Sequence, residues 1–174
     1  MPTPERTSTD AIVAAGREIL EANGLAGLTM QAVAQRVGVR APSLYKRVRD
    51  REALHVAVAT ASVDDLTTRL EGAGDDLSAL ARTYRAFAHA HPEGFRLLFL
   101  TAVPQEALER SAAPVIRACA AAVGEKDALD AARLFTAWAT GFLQMELSGA
   151  FRLGGEVDRA FDYGLRHLIA SLTT

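Results

Sequence analysis

Between Thr29 and Val48 the chain reads TMQAVAQRVGVRAPSLYKRV, and Gly38 near its middle limits what this stretch can fold into. Ahead of it, Val33, Ala34 and Val37 fall at helical spacing on one face. Thr29 stands where its hydroxyl can take a free N–H of the first turn. Gly38 breaks the helix where a left-handed residue is easiest to supply. Val39 then returns to the core, and Arg40-Ala41-Pro42 opens a second helix. Pro42 is tolerated in that first turn, since its missing N–H would have no helical partner there. Leu44 and Val48 can face inward, which leaves Ser43, Tyr45, Lys46 and Arg47 mostly outside. Two short helices joined by a tight turn, the second polar and basic, describe a helix-turn-helix.

The rest of the chain reads as helix too. Residues 1–7, MPTPERT, are polar and Pro-rich and read as a loose arm. Ser8, Thr9 or Asp10 can cap a first helix of about 14 residues, striped by Ile12, Ala15, Ile19 and Ala22 and stopped at Asn23-Gly24. Asp50 is the expected cap of a fourth helix that runs to about Leu70 through Leu54, Val58, Ala61 and Leu66. After the breaker EGAGD, Asp75 or Asp76 starts a fifth helix, with Leu77, Leu80, Ala81, Tyr84, Phe87 and Ala88 spaced for burial. It ends at His91-Pro92, and a short sixth helix follows in PEGFRLLFLT. A seventh runs from Pro104 to Gly124, and Pro114 must kink or split it. Lys126–Gly149 and Val157–Leu172 supply the last two. Nothing alternates with period two over a useful length, so the expected class is all-α with about nine helices. The expected division is a three-helix helix-turn-helix domain over residues 1–50 and a helical bundle over 51–174.

Composition narrows the function. Hydrophobic residues make up 49% of the 174, enough to fill a core and exclude disorder. The single Cys119 cannot form an intrachain disulfide. No apolar run approaches the roughly 18–20 residues needed to span a bilayer, and no signal peptide opens the chain, so a cytoplasmic protein without membrane contact is expected. Residues 1–51 hold eight Lys and Arg against five acids, while the remainder holds eleven against sixteen. A basic end suits a polyanionic partner; an acidic body does not. His89 and His91 point nearly opposite ways on a helix, so no metal site is expected. There is no nucleophile elbow or phosphate loop, and neither catalysis nor a cofactor is expected.

The pattern of Thr29, Val33-Ala34, Gly38-Val39, Leu44-Tyr45 and Leu54 resembles the TetR-type transcriptional regulators over residues 8–58. The resemblance implies an all-α homodimer with an N-terminal DNA-binding domain and a C-terminal domain for ligand binding and dimerisation. Two positions depart from the family pattern. Its His-Phe pair, one residue after Leu-Tyr, is Arg47-Val48 here, which adds positive charge and weakens a packing contact. Its Lys at the start of the fourth helix is Arg51. YRAFAHAHPEGFRLLF and FTAWATGFLQMELSGAF further resemble a TetR subgroup with a Trp-His-Gly signature, although Ala139-Thr140 stand between Trp138 and Gly141 here.

A recognition helix places three or four side chains against base edges and others on phosphates. The candidates for bases are Arg40, Ala41 and Ser43, with Lys46 able to reach either; those for phosphate are Thr29, Gln31, Tyr45, Arg47 and Arg51. By resemblance, Thr29 and Tyr45 match positions that touch the DNA backbone. Tyr84, Phe87, Phe95, Phe99, Trp138 and Phe142 each read more readily as plain core, and the resemblance is what makes them candidates for a ligand pocket. Ala128, Ala131, Phe135, Trp138, Phe142, Met145 and Gly149 step by three and four, a heptad seam. Together with the ninth helix it suggests a dimer interface from Phe135, Trp138, Gly141, Met145, Phe161, Leu165 and Leu168. The expected protein is a homodimeric regulator that binds double-stranded operator DNA and is released by a small-molecule effector. The alternative is a helical small-molecule-binding protein or enzyme with no DNA role.

Overall fold

The computed structural model describes residues 8–173. They contain nine helices and no strand: α1 Thr9–Gly27, α2 Met30–Arg36, α3 Ala41–Leu44, α4 Arg51–Ala73, α5 Leu77–Ala90, α6 Pro92–Leu97, α7 Gln105–Val123, α8 Ala128–Leu147 and α9 Val157–Leu172. The expected arm at residues 1–7 lies outside the described residues.

The chain forms two compact units, and neither follows a cut at residue 50. One comprises the described residues up to Asp65 together with His91–Ala107; the other comprises Leu66–Ala90 and Leu108 onward. The physical reason lies in packing: α6, distant in sequence, docks on α1. Glu21 of α1 joins them, its carboxylate oxygens accepting from the backbone N–H groups of Gly94 at 2.8 Å and Glu93 at 3.2 Å. These are first-turn donors that have no partner within their own helix.

In the first unit Ser8 caps α1 by accepting from the Ala11 N–H at 3.1 Å. Gly24, with φ +66°, interrupts α1 where Asn23-Gly24 predicts a stop, and a further turn carries it to Gly27. The buried face of α1 is Ile12, Ala15, Gly16 and Leu20, whereas Ala22 of the expected stripe is exposed. Leu28, Val33, Leu44, Leu54 and Val58 complete a core with no solvent exposure at any of the five. Asp50 starts α4, its carboxylate accepting from the Ala53 N–H at 2.8 Å. That bond, and then the one from Arg49, holds the Asp50 carboxyl below the usual aspartate range.

In the second unit α5 packs against α8 and α9, which also pack on each other. α7 contains Pro114 and is neither split nor ended by it. Arg85 of α5 is the polar centre of this unit. It pairs with Glu146 of α8, bonds Asp158 of α9 at 2.5 Å, and lies 4.7 Å from the centre of the Phe161 ring. A guanidinium so placed satisfies two carboxylates and caps an aromatic face at once.

Candidate nucleic-acid interface

The candidate interface is built from α2, α3 and the turn between them. Thr29 caps α2, its hydroxyl oxygen accepting from the Ala32 N–H at 3.1 Å. Gly38 adopts φ +74°, the left-handed conformation the turn requires. The chain then bends back so that the Val39 N–H donates to the Ala34 carbonyl at 2.9 Å. Val39 packs half-buried against the core, as does Ala41. Pro42 sits in the first turn of α3, and Leu44 and Val48 are buried. The helix expected over Ala41–Val48 is shorter than that: α3 ends at Leu44, and residues 45–47 continue as turn.

With the apolar positions turned inward, Gln31, Arg40, Ser43, Tyr45, Lys46, Arg47 and Arg51 are exposed. Thr29 and Ala41 are half-buried. Tyr45 presents 54% of its surface, unusual for an aromatic residue beside a packed core.

Ion pairing sorts the basic residues of this unit. Arg17 bonds Asp65 at 2.6 Å, Arg36 pairs with Glu18, and Arg49 bonds Asp50 at 2.8 Å. Arg40 and Lys46 make no ion pair among the described residues. Arg17, Arg36 and Arg49 thus have carboxylate partners within the chain, while Arg40 and Lys46, both exposed on the α3 side, are available to a polyanion.

The six pocket candidates are not gathered in one unit. Phe95 and Phe99 belong to the first, where Phe95 is fully buried and meets Phe99 edge-on at 5.3 Å; half of Phe99 is exposed. Tyr84, Phe87, Trp138 and Phe142 belong to the second. Phe87 is fully buried. Trp138 and Phe142 close on Phe161 at 5.4 and 5.3 Å, and Phe142 meets Phe151 at 4.9 Å, forming an aromatic core with α9. The Tyr84 hydroxyl lies 3.0 Å from the Thr140 hydroxyl, and burial pushes its pKa up against the effect of that bond. An open hollow of about 390 Å³ in the same unit is lined by Arg82, Arg85, Ala86, His89, Asp158 and Phe161, and by none of the six.

The heptad seam is consumed inside the chain as well. Phe135, Phe161 and Leu165 of the expected interface are buried within a single copy, because α8 and α9 turn these positions toward each other and toward α5. Trp138 and Leu168 are half-buried, while Gly141 and Met145 are exposed. Leu134, which the seam passes over, is 51% exposed and shares a face with Gly141 and Met145 at i, i+7 and i+11.

His55, absent from the candidates read from sequence, stands one turn from Arg51 and contacts it. The spacing of four on a helix is the signal that could have found it. His89 and His91 face separate carboxylates, Glu146 and Asp65, and no group of three His, Cys, Asp or Glu among the described residues could hold a metal. No described helix is long and apolar enough to cross a membrane.

A capped short helix, a glycine turn and a basic second helix, followed by a separate helical unit, define a helix-turn-helix regulator. Residues 12–58 match the family model "Bacterial regulatory proteins, tetR family", and residues 77–168 match "Tetracyclin repressor-like, C-terminal domain". The chain belongs to the TetR family: it is a DNA-binding transcriptional regulator with a ligand-binding C-terminal domain. An uncharacterized HTH-type transcriptional regulator of Mycobacterium tuberculosis is 32% identical over 161 residues, 84% of this chain and 73% of its own length. The class A tetracycline repressor from transposon 1721 of Escherichia coli is 28% identical over 159 residues, 87% of this chain and 74% of its own. Among solved structures, a TetR variant from Acinetobacter baumannii AYE in complex with minocycline has a TM-score of 0.73 at 26% identity, covering 95% of this chain and 96% of that one.

Proposed function

We propose that two copies of this chain bind a two-fold-symmetric operator as a repressor, and that a small molecule taken up by the second unit releases them. The observation that carries the reading is the pair of exposed cations Arg40 and Lys46, without an ion pair among the described residues, beside exposed Ser43 and Tyr45 on a turn-and-helix whose other face packs into the core. Arg40, Ser43 and Lys46 are assigned to base edges, with Ala41 offering a methyl contact. Thr29, Gln31, Tyr45, Arg47 and Arg51 are assigned to phosphates. Dimerisation is assigned to the outward face of α8, centred on Leu134, Gly141 and Met145.

The effector is assigned to the second unit, with the Tyr84–Thr140 hydroxyl pair as its polar contact. Minocycline, bound by a protein of similar structure, is the first probe to try. Release needs only that the ligand bind more tightly to the arrangement that disfavours DNA. The test is selection of duplexes from a random pool by the purified chain. The reading expects an inverted repeat whose half-sites lie about one helical turn apart. Recovery of no common sequence would sink it.

A further inference from the structure

Arg51 and His55 stand one turn apart at the start of α4, beside an open hollow of about 630 Å³ whose other lining residues are Leu25, Ala26 and Glu52. Two contacts compete there for one ring nitrogen. Arg51 Nε lies 3.4 Å from His55 Nε2 in donating geometry, and Arg51 Nη2 donates to the Leu25 carbonyl at 3.3 Å. The same His55 Nε2 lies 3.2 Å from the Leu28 carbonyl oxygen. An imidazole nitrogen carries either a lone pair or a hydrogen. Nε2 can therefore accept from Arg51 or donate to Leu28, but not both at once. The charged neighbours of His55 in this hollow are Arg51 and Glu52, both from α4; the chain leaving α1 contributes the Leu25 and Leu28 carbonyls and the Ala26 methyl.

We propose that His55 is a positioning residue for DNA contact: with Nε2 unprotonated it holds Arg51 folded back on the end of α1, and with Nε2 protonated it turns to the Leu28 carbonyl and frees the guanidinium for an operator phosphate. The inference rests on the assignment of Arg51 to phosphate. The imidazolium form donates at Nε2 and places a second positive charge beside Arg51, so both effects drive the guanidinium outward. Operator affinity then rises when the ring takes up its second proton.

The experiment measures operator affinity at pH 8 and pH 6, at fixed salt, for the wild type, His55→Gln, His55→Leu and Arg51→Ala, with thermal unfolding to verify each fold. Glutamine offers an acceptor and a donor on separate atoms and does not titrate, so it keeps the local bonding without the competition. The wild type should tighten on acidification by about 2- to 5-fold more than any of the three variants, the range of an exposed charge contact. A wild-type pH response in His55→Gln overturns the inference and leaves the assignment of Arg51 standing. Arg51→Ala binding as tightly as the wild type at both pH values overturns the assignment of Arg51 and the inference with it.

Discussion

The indole of Trp138 packs close against Gly164: a Cβ on that glycine would stand 2.7 Å from Trp138 Cζ2 and 3.2 Å from Nε1. This contact seats α9 on α8 and lets Trp138 stack on Phe161 at 5.4 Å. Gly164→Ala must push the indole away. The added methyl gains about 1 kcal/mol of helix propensity, but overpacking costs about 1–3 kcal/mol. A net loss of stability is expected in urea titrations. Loss of the near-ultraviolet Trp138 signal in the same variant would place the strain at this contact.

Gly141, one turn along from Trp138, behaves oppositely. It is exposed in the interior of α8, and nothing lies within 4 Å of a Cβ built there. No described residue thus makes a close approach to Gly141. Gly141→Ala should therefore stabilise the monomer fold by about 0.5–1 kcal/mol. If α8 forms the subunit contact, the same change weakens the dimer. Sedimentation across a dilution series separates the two: a dimer of unchanged strength would remove Gly141 from the interface.

Glu146 gives the second unit an acid-sensitive joint. Burial alone would raise its pKa, but hydrogen bonds from Arg85 and His89, helped by their charges, outweigh that and hold it below the ordinary value of 4.5. A carboxylate depressed on folding contributes stability that is fully present above its unfolded value and is lost as pH falls through the folded one. Glu146→Gln should cost about 1–2 kcal/mol at neutral pH, and the gap to the wild type should close below about pH 4.5. Unfolding curves at pH 7 and pH 3.5 check this; a gap that stays constant would show that the charge of Glu146 contributes nothing.

On the DNA side, Tyr45→Phe removes one hydroxyl and Lys46→Ala one charge, both from exposed positions. Each should weaken operator binding with the fold intact. Lys46→Ala, if the side chain lies on phosphate, should also lower the slope of log affinity against log salt by about 1. An unchanged slope with relaxed sequence preference would assign Lys46 to a base instead.

The local signals in the sequence carried the fold because they are short-range. Thr29, Gly38, Pro42 and Asp50 each act through their own turn and appear where spacing places them, whereas Asn23-Gly24 interrupts α1 without ending it. What spacing could not reach was the use of each apolar face. The α8 heptad pattern is real, yet it says only that Phe135 is buried, not whether α9 of the same chain or a second chain buries it. The same holds for the aromatic residues: Phe95 and Trp138 are both large aromatics, and their place in different units depends on α6 docking against α1 through Glu21. Charge was similarly silent. Which arginines are neutralised depends on partners such as Glu18 and Asp65, and Asp65 lies 48 residues from Arg17.

The central claim, a dimer that reads DNA through α2 and α3, is tested most directly by the stoichiometry of the operator complex in rising salt. Native mass measurement of the chain with a duplex carrying its own upstream region should give two chains per site. Affinity should fall steeply and linearly in log salt, because several phosphates are neutralised at once. A single chain per duplex, or no saturable binding at low salt, would contradict the account.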